Sequence, residues 1–166
     1  MSLNVIEIEL ISNALRSVVD EAFVALMKTA YSTNIKERHD HSTCIMDLQG
    51  RGIVQASMAI PVHIASMMGL VSFVINRYGD DVNPGDIFVA NDPHVAGGTH
   101  LPDINMAAPI FNEGKLVAFF CNIAHHADIG GMAPGSMAGG MREIYQEGLR
   151  LPLVRRFHGG ELDEDL

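Results

Sequence analysis

Two short stretches of the chain pair a histidine with an aspartate at the same spacing: His100-Leu101-Pro102-Asp103 and His125-His126-Ala127-Asp128. Imidazole and carboxylate together make a mixed ligand set that suits zinc, manganese or iron. The two pairs nominate His100, Asp103, His125 and Asp128 as ligands of one divalent ion. A single such pair is commonly no more than a hydrogen-bonded surface couple; the repetition at matched spacing is what favours a metal. Three neighbours could take part in chemistry. His126 and His94 could shuttle protons. Asp92 follows an apolar run and could serve as a ligand, as a residue supporting a ligand, or as a turn residue in Asn91-Asp92-Pro93.

The segment between the motifs suggests how they meet. Apolar runs at 104–111 and 116–124 flank Asn112-Glu113-Gly114-Lys115, a hairpin turn signal. With Asn112 facing Lys115, strict pairing sets Asp103 opposite Ala124 and His100 opposite Ala127. Both motifs then converge at the open end of one hairpin, with facing Cβ atoms about 5 Å apart. Strict pairing puts Asp103 on the face of His126; a one-residue bulge would put it on the face of His125. His125 is preferred because it repeats the first motif's spacing, with His126 as the alternative.

The remaining elements follow from periodicity. Residues 5–31 place Ile8, Ile11, Leu15, Val18, Val19, Phe23 and Leu26 at helical spacing, and Asn4 with Glu7 reads as a capping box. This helix is long for a small domain, so part of its apolar face is expected to lack a partner within the chain. Residues 41–56 read as a β-hairpin about Asp47–Gly52, and residues 63–78 as a second helix stopped by Gly79. Ile87-Phe88-Val89-Ala90 reads as a central strand, and Pro109 marks the next strand as an edge or a bulge. A glycine-rich loop spans 130–140, and 159–166 reads as an acidic tail or linker after a domain over 1–158. The expected class is α+β: a long N-terminal helix, a mixed or antiparallel sheet built from hairpins, and a second helix on one face. His39, Asp40 and His41 read as a polar patch that is exposed or lines a cleft, exposure being favoured, and His63 as a helix-start residue.

Composition narrows the function class. The chain has 166 residues, 48% hydrophobic and 19% charged, with net charge −9. Lys and Arg are scattered, which disfavours a nucleic-acid partner. No apolar run is long enough for a membrane span. Cys44 and Cys121 form no Cys-x-x-Cys pair, and a reducing cytoplasm is the expected setting. The glycine-rich loop lacks the Gly-Lys-Ser/Thr of a phosphate loop, so no ATP site is expected in this chain.

Several joined motifs resemble the hydantoinase B/oxoprolinase family. They are Asn91-Asp92-Pro93-His94, Gly97-Gly98-Thr99-His100-Leu101-Pro102-Asp103, Ala124-His125-His126-Ala127-Asp128-Ile129-Gly130-Gly131 and Gln146-Glu147-Gly148-Leu149-Arg150-Leu151-Pro152, with Asn34-Ile35-Lys36-Glu37-Arg38 after the first helix. The resemblance covers nearly the whole chain and implies the N-terminal portion of a longer B-type component. It further implies a hydantoinase A-type subunit as partner, ATP used by that partner, and a cyclic amide as substrate. The metal would polarise a carbonyl or activate water. In the acetone carboxylase branch the implied ligands fall on His100, Asp103, His125 and Asp128. A metal-dependent ketone carboxylase and a non-catalytic assembly fragment are the alternatives.

Overall fold

The computed structural model describes residues 3–164. Its framework is a sheet whose strands run β1 (His41–Met46), β2 (Gly52–Gln55), β3 (Ile87–Ala90), β4 (Asp103–Asn112), β5 (Lys115–His125), β6 (Val154–His158) and β7 (Glu161–Leu162). The order across the sheet is β2-β1-β5-β4-β3-β6-β7, and every pairing is antiparallel. The α+β class is as expected. Glu161–Leu162, inside the segment whose composition suggests a tail, pair with Phe157 and His158 through a turn at Gly159-Gly160.

Two helices cover the sheet. α1 (Val5–Thr29) opens with the capping box: the Glu7 amide donates to Asn4 Oδ1, and the Asn4 amide donates to the Glu7 carboxylate. Its second half buries Val19 and Phe23 against Ile45, Ala56 and Ala118 on one face of β1, β2 and β5. The same stripe continues through Val5, Ile8 and Ile11, all exposed. About two turns of apolar face are therefore left largely uncovered among the described residues. A one-turn α2 (Thr33–Lys36), capped by the Ser32 hydroxyl, links α1 to β1.

On the opposite face lies α3 (Pro61–Tyr78), with proline in its first turn and Gly79 as its cap. It buries Met67, Leu70, Val71 and Val74 against Cys44, Phe88, Phe119 and Ile123. Each such side chain, fully removed from water, stabilises the fold by about 1.5–3 kcal/mol before conformational entropy is counted. Cys44 and Cys121 stand directly opposite one another on β1 and β5, both buried. The α3 helix also sits close to the loop before β4. A methyl group on Gly69 would come within 2.9 Å of Gly97 Cα, so both glycines are needed for that contact.

The β4–β5 hairpin departs from strict pairing in one place. Phe111 faces Leu116, but Ile110 faces Ala118, leaving Val117 as the extra residue of a bulge. Pro109 lies next to this bulge, on a stretch of β4 that extends past its β3 contacts at Asn105–Ala107. β4 is an interior strand and the extra residue of the bulge belongs to β5, so Pro109 marks neither an edge strand nor a bulge of its own strand, but a stretch unpaired on the β3 side and opposite the bulged strand.

A candidate metal centre at the end of the β4–β5 hairpin

The bulge decides the site. Beyond it every partner shifts by one, and Asp103 pairs with His125. Alternation along β5 then sends Ile123 and His125 to the α3 side, and Ala124 and His126 to the α1 side. His126 is exposed and lines a separate cavity of about 400 Å³ with Leu26, Tyr31, Ile35, Ile104 and Met106.

His100 reaches Asp103 from the loop ahead of β4. Its Nε2 is 3.3 Å from Asp103 Oδ1, and its ring centroid is 4.9 Å from that of His125. One ligand atom each from His100, Asp103 and His125 lies within 4.8 Å of the others. Metal bonds of about 2.1 Å would hold neighbouring donors about 3–3.4 Å apart, so the His100–Asp103 spacing already suits a shared ion. The residues fit a cation in a second respect. Asp103 is almost fully buried, and its Oδ1 accepts no hydrogen bond among the described residues. Among the described residues only the His100 imidazole faces that oxygen, at ion-pair distance, and a buried carboxylate is costly unless positive charge serves it. The other oxygen, Oδ2, accepts the Thr99 hydroxyl.

Neighbouring groups orient these donors. The Asn34 side-chain amide, with Nδ2 3.0 Å from His125 Nδ1, orients the ring; Nε2 is free to coordinate in the tautomer whose Nδ1–H donates to the Asn34 amide oxygen after the amide is turned over. The His125 amide donates to the Asp40 carbonyl, and the Asp40 amide to the Asn34 carbonyl, so Asn34, Asp40 and His125 are locked together. The loop carrying His100 is stapled by Asn91, whose Nδ2 donates to the carbonyls of Leu101 and Leu149 while its Oδ1 accepts the Leu151 amide. Glu147 accepts the Leu101 amide.

Charge follows from this crowding. The Asp103 carboxylate raises the His100 imidazole above its ordinary pKa, against the effect of burial. Burial pushes Asp103 upward, and its contacts with His100 and Thr99 outweigh that, holding its carboxyl below the ordinary range. His63, buried on α3, is lowered by burial despite the attraction of Asp103 and Asp40.

The structure thus brings together His100, Asp103 and His125 and leaves the other nominated residues elsewhere. Asp128 is exposed. Its carboxylate accepts the Gly130 and Gly135 amides and the Ser136 hydroxyl, and these bonds hold its pKa down. It therefore closes the glycine-rich loop and takes no place in the cluster, because the chain leaves the sheet after His125. Asp92 is buried and paired with Arg150 at 2.5 Å, as a loop brace. His94 is exposed and shares a cavity of about 410 Å³ with Thr99, His100, Arg142 and Glu147. His41, expected at the surface, is fully buried, with Nε2 3.1 Å from the Phe23 carbonyl oxygen and its ring stacked on Phe23.

Comparison with known proteins agrees with this architecture. The profile of the hydantoinase B/oxoprolinase family matches residues 4–166. The chain belongs to the hydantoinase B/oxoprolinase family. Within it, 5-oxoprolinase 1 of Arabidopsis thaliana is 35% identical over 98% of this chain, which spans 13% of the plant protein. Caprolactamase subunit beta of Pseudomonas jessenii is 33% identical over 97% of the chain, which spans 27% of that subunit. The crystal structure of that ATP-dependent caprolactamase superposes with a TM-score of 0.82 at 27% identity, covering 99% of this chain and 28% of the other. A nucleotide-free acetone carboxylase structure gives 0.83 at 26% identity, covering 92% and 20%. Among the described residues of this hydantoinase B/oxoprolinase chain, no helix is long and apolar enough to cross a membrane.

Sequence reasoning missed Asp40, His63 and Asn34 as parts of the site. Asp40 reads from sequence as surface or cleft, and His63 as a helix start, which it is, in the first turn of α3. Both lie near enough for their charges to act on the cluster, with His63 Nε2 3.5 Å from Asp40 Oδ1. Asn34 belongs to a motif of the family resemblance, which is the one signal that pointed to it.

Proposed function

We propose that this chain carries the metal centre of a B-type component of an ATP-dependent cyclic-amide hydrolase, working with a hydantoinase A-type subunit that uses the ATP. One observation carries the reading: two imidazoles and a buried carboxylate converge at one point beside an open cavity. The family membership and the names of the oxoprolinase and caprolactamase relatives support the substrate class.

His100, Asp103 and His125 would hold a divalent ion: manganese, zinc or iron. When bound, such an ion supplies Lewis acidity toward a carbonyl or phosphoryl oxygen. The chain's own residues do the rest. Asn34 fixes the His125 ring, Thr99 fixes Asp103, and the Asn91 staple fixes the loop that presents His100. The cavity shared by His94, Thr99, His100 and Glu147 would admit the ring, with His94 placed on its wall for proton transfer. His126, on the far side of the sheet, is not placed for that task.

The likeness to acetone carboxylase favours a second reading, in which the same centre serves carboxylation of a ketone. The test supplies the A-type subunit, ATP and either a lactam or a ketone with bicarbonate. Ring-opened product with ATP cleavage supports the hydrolase; carboxylated ketone supports the second reading. Neither product, with the A-type subunit bound, would leave an assembly role alone.

A further inference from the structure

Beside His100, Asp103 and His125 lies a buried chain of side chains that this ligand set does not use. Ser42 is fully buried at the start of β1 and His63 is buried in the first turn of α3. Ser42 Oγ accepts the Ile60 amide at 2.8 Å and stands 3.1 Å from His63 Nδ1. Its hydroxyl proton has no acceptor but that nitrogen among the described residues. Ser42 therefore donates to Nδ1, and in the neutral ring the remaining proton sits on Nε2. Nε2 lies 3.5 Å from Asp40 Oδ1, an ion-pair distance. Asp40 is in turn bound through its backbone to Asn34 and His125, and its charge is felt by His100. Its other oxygen makes no hydrogen bond among the described residues.

We propose that Ser42 and His63 are positioning residues that act through Asp40. Ser42 sets the tautomer of His63, and the Nε2–H of His63 turns the Asp40 carboxylate toward the metal centre, where its negative charge strengthens cation binding. This rests on the metal reading above. A histidine retained only as packing for α3 would need neither a buried hydroxyl on one nitrogen nor a carboxylate facing the other.

The test measures Mn²⁺ binding by calorimetry on the 166-residue chain, alongside thermal unfolding without metal. His63→Leu keeps the bulk and removes the donor; His63→Gln keeps an N–H near the Nε2 position. The proposal expects His63→Leu to weaken Mn²⁺ binding by about 10- to 100-fold, the usual effect of losing a group that orients a metal site. It expects His63→Gln to recover most of that affinity. It also expects His63→Leu to cost nothing further in an Asp40→Asn background, because the effect passes through Asp40. Unchanged affinity in a folded His63→Leu protein would overturn it. So would equal losses from His63→Leu in the wild-type and Asp40→Asn backgrounds, the pattern of a packing role. If the leucine variant does not fold, the glutamine variant and Ser42→Ala decide: wild-type affinity in both supports no tautomer role and overturns the proposal, whereas a loss in Ser42→Ala with glutamine near wild type supports it. No Mn²⁺ uptake by the wild-type chain would instead sink the metal reading, and this inference with it.

Discussion

Asp103 and His125 face one another across β4 and β5 because Val117 bulges out of the hairpin. Without the extra residue, Asp103 would face Ala124. The first prediction follows from that pairing. Asp103→Ala or His125→Ala should abolish stoichiometric binding of Mn²⁺ or Zn²⁺, whereas Asp128→Ala should leave it intact. Calorimetry on the three variants checks this, and loss of binding in Asp128→Ala alone would reverse the ligand assignment.

Asp128→Ala should act on the loop instead. Removing the acceptor for the Gly130 and Gly135 amides and the Ser136 hydroxyl should speed hydrogen exchange at those two amides. Exchange in the β4–β5 core should stay unchanged.

Metal should stabilise the fold. With a ligand that binds the native state alone, a free concentration about 100 times the Kd adds about 2.7 kcal/mol. The unfolding midpoint should therefore rise with added Mn²⁺ in the wild-type chain and stay fixed in His100→Ala.

How much of this was open to reading from residues alone differs by element. α1 and α3 declare themselves through helical spacing, and the hairpins through their turn residues; the chemistry of each is local. The convergence of His100 with His125 could be argued from hairpin geometry, because only one turn separates them. The choice between His125 and His126 could not, since it depends on a bulge at Val117 that no strong turn residue announces. Asp40 and His63 could not be tied to the site for another reason. Their roles arise only when β1 docks beside β5 and α3 crosses the sheet, which are contacts between distant segments. Asp128 was nominated because its spacing repeats the first motif, but the backbone turns away from the sheet before reaching it.

The Gly69–Gly97 approach ties the His100 loop to α3. Gly69→Ala would force backbone apart, at a cost of about 1–3 kcal/mol. It should lower the unfolding midpoint and also weaken metal binding, because Thr99 and His100 shift with Gly97. A midpoint drop with unchanged metal affinity would show that Asn91 and Glu147 hold the loop without α3.

Acid should loosen the brace between Asp92 and Arg150. Burial pushes the Asp92 carboxyl up, but the His94 amide and the Arg150 guanidinium prevail and keep it below its ordinary value. A group lowered in the folded state stabilises above its unfolded pKa, about 3.9, and loses that contribution as pH falls through the lower folded value. Asp92→Asn should therefore be less stable than wild type at neutral pH, with the gap narrowing below about pH 4. Denaturant unfolding at pH 7 and pH 3 measures this, and a constant gap would refute it.

The paired thiols of β1 and β5 offer a practical handle. Cys44 and Cys121 are both sealed under α3, and Cys121 is pushed well above the ordinary thiol range by its contact with Cys44 and by burial. Neither should meet an alkylating reagent while the sheet is closed. The rate at which they become modified is then a clock for opening of the sheet itself, one that needs no added probe and reads out whether an occupied centre keeps α3 in place.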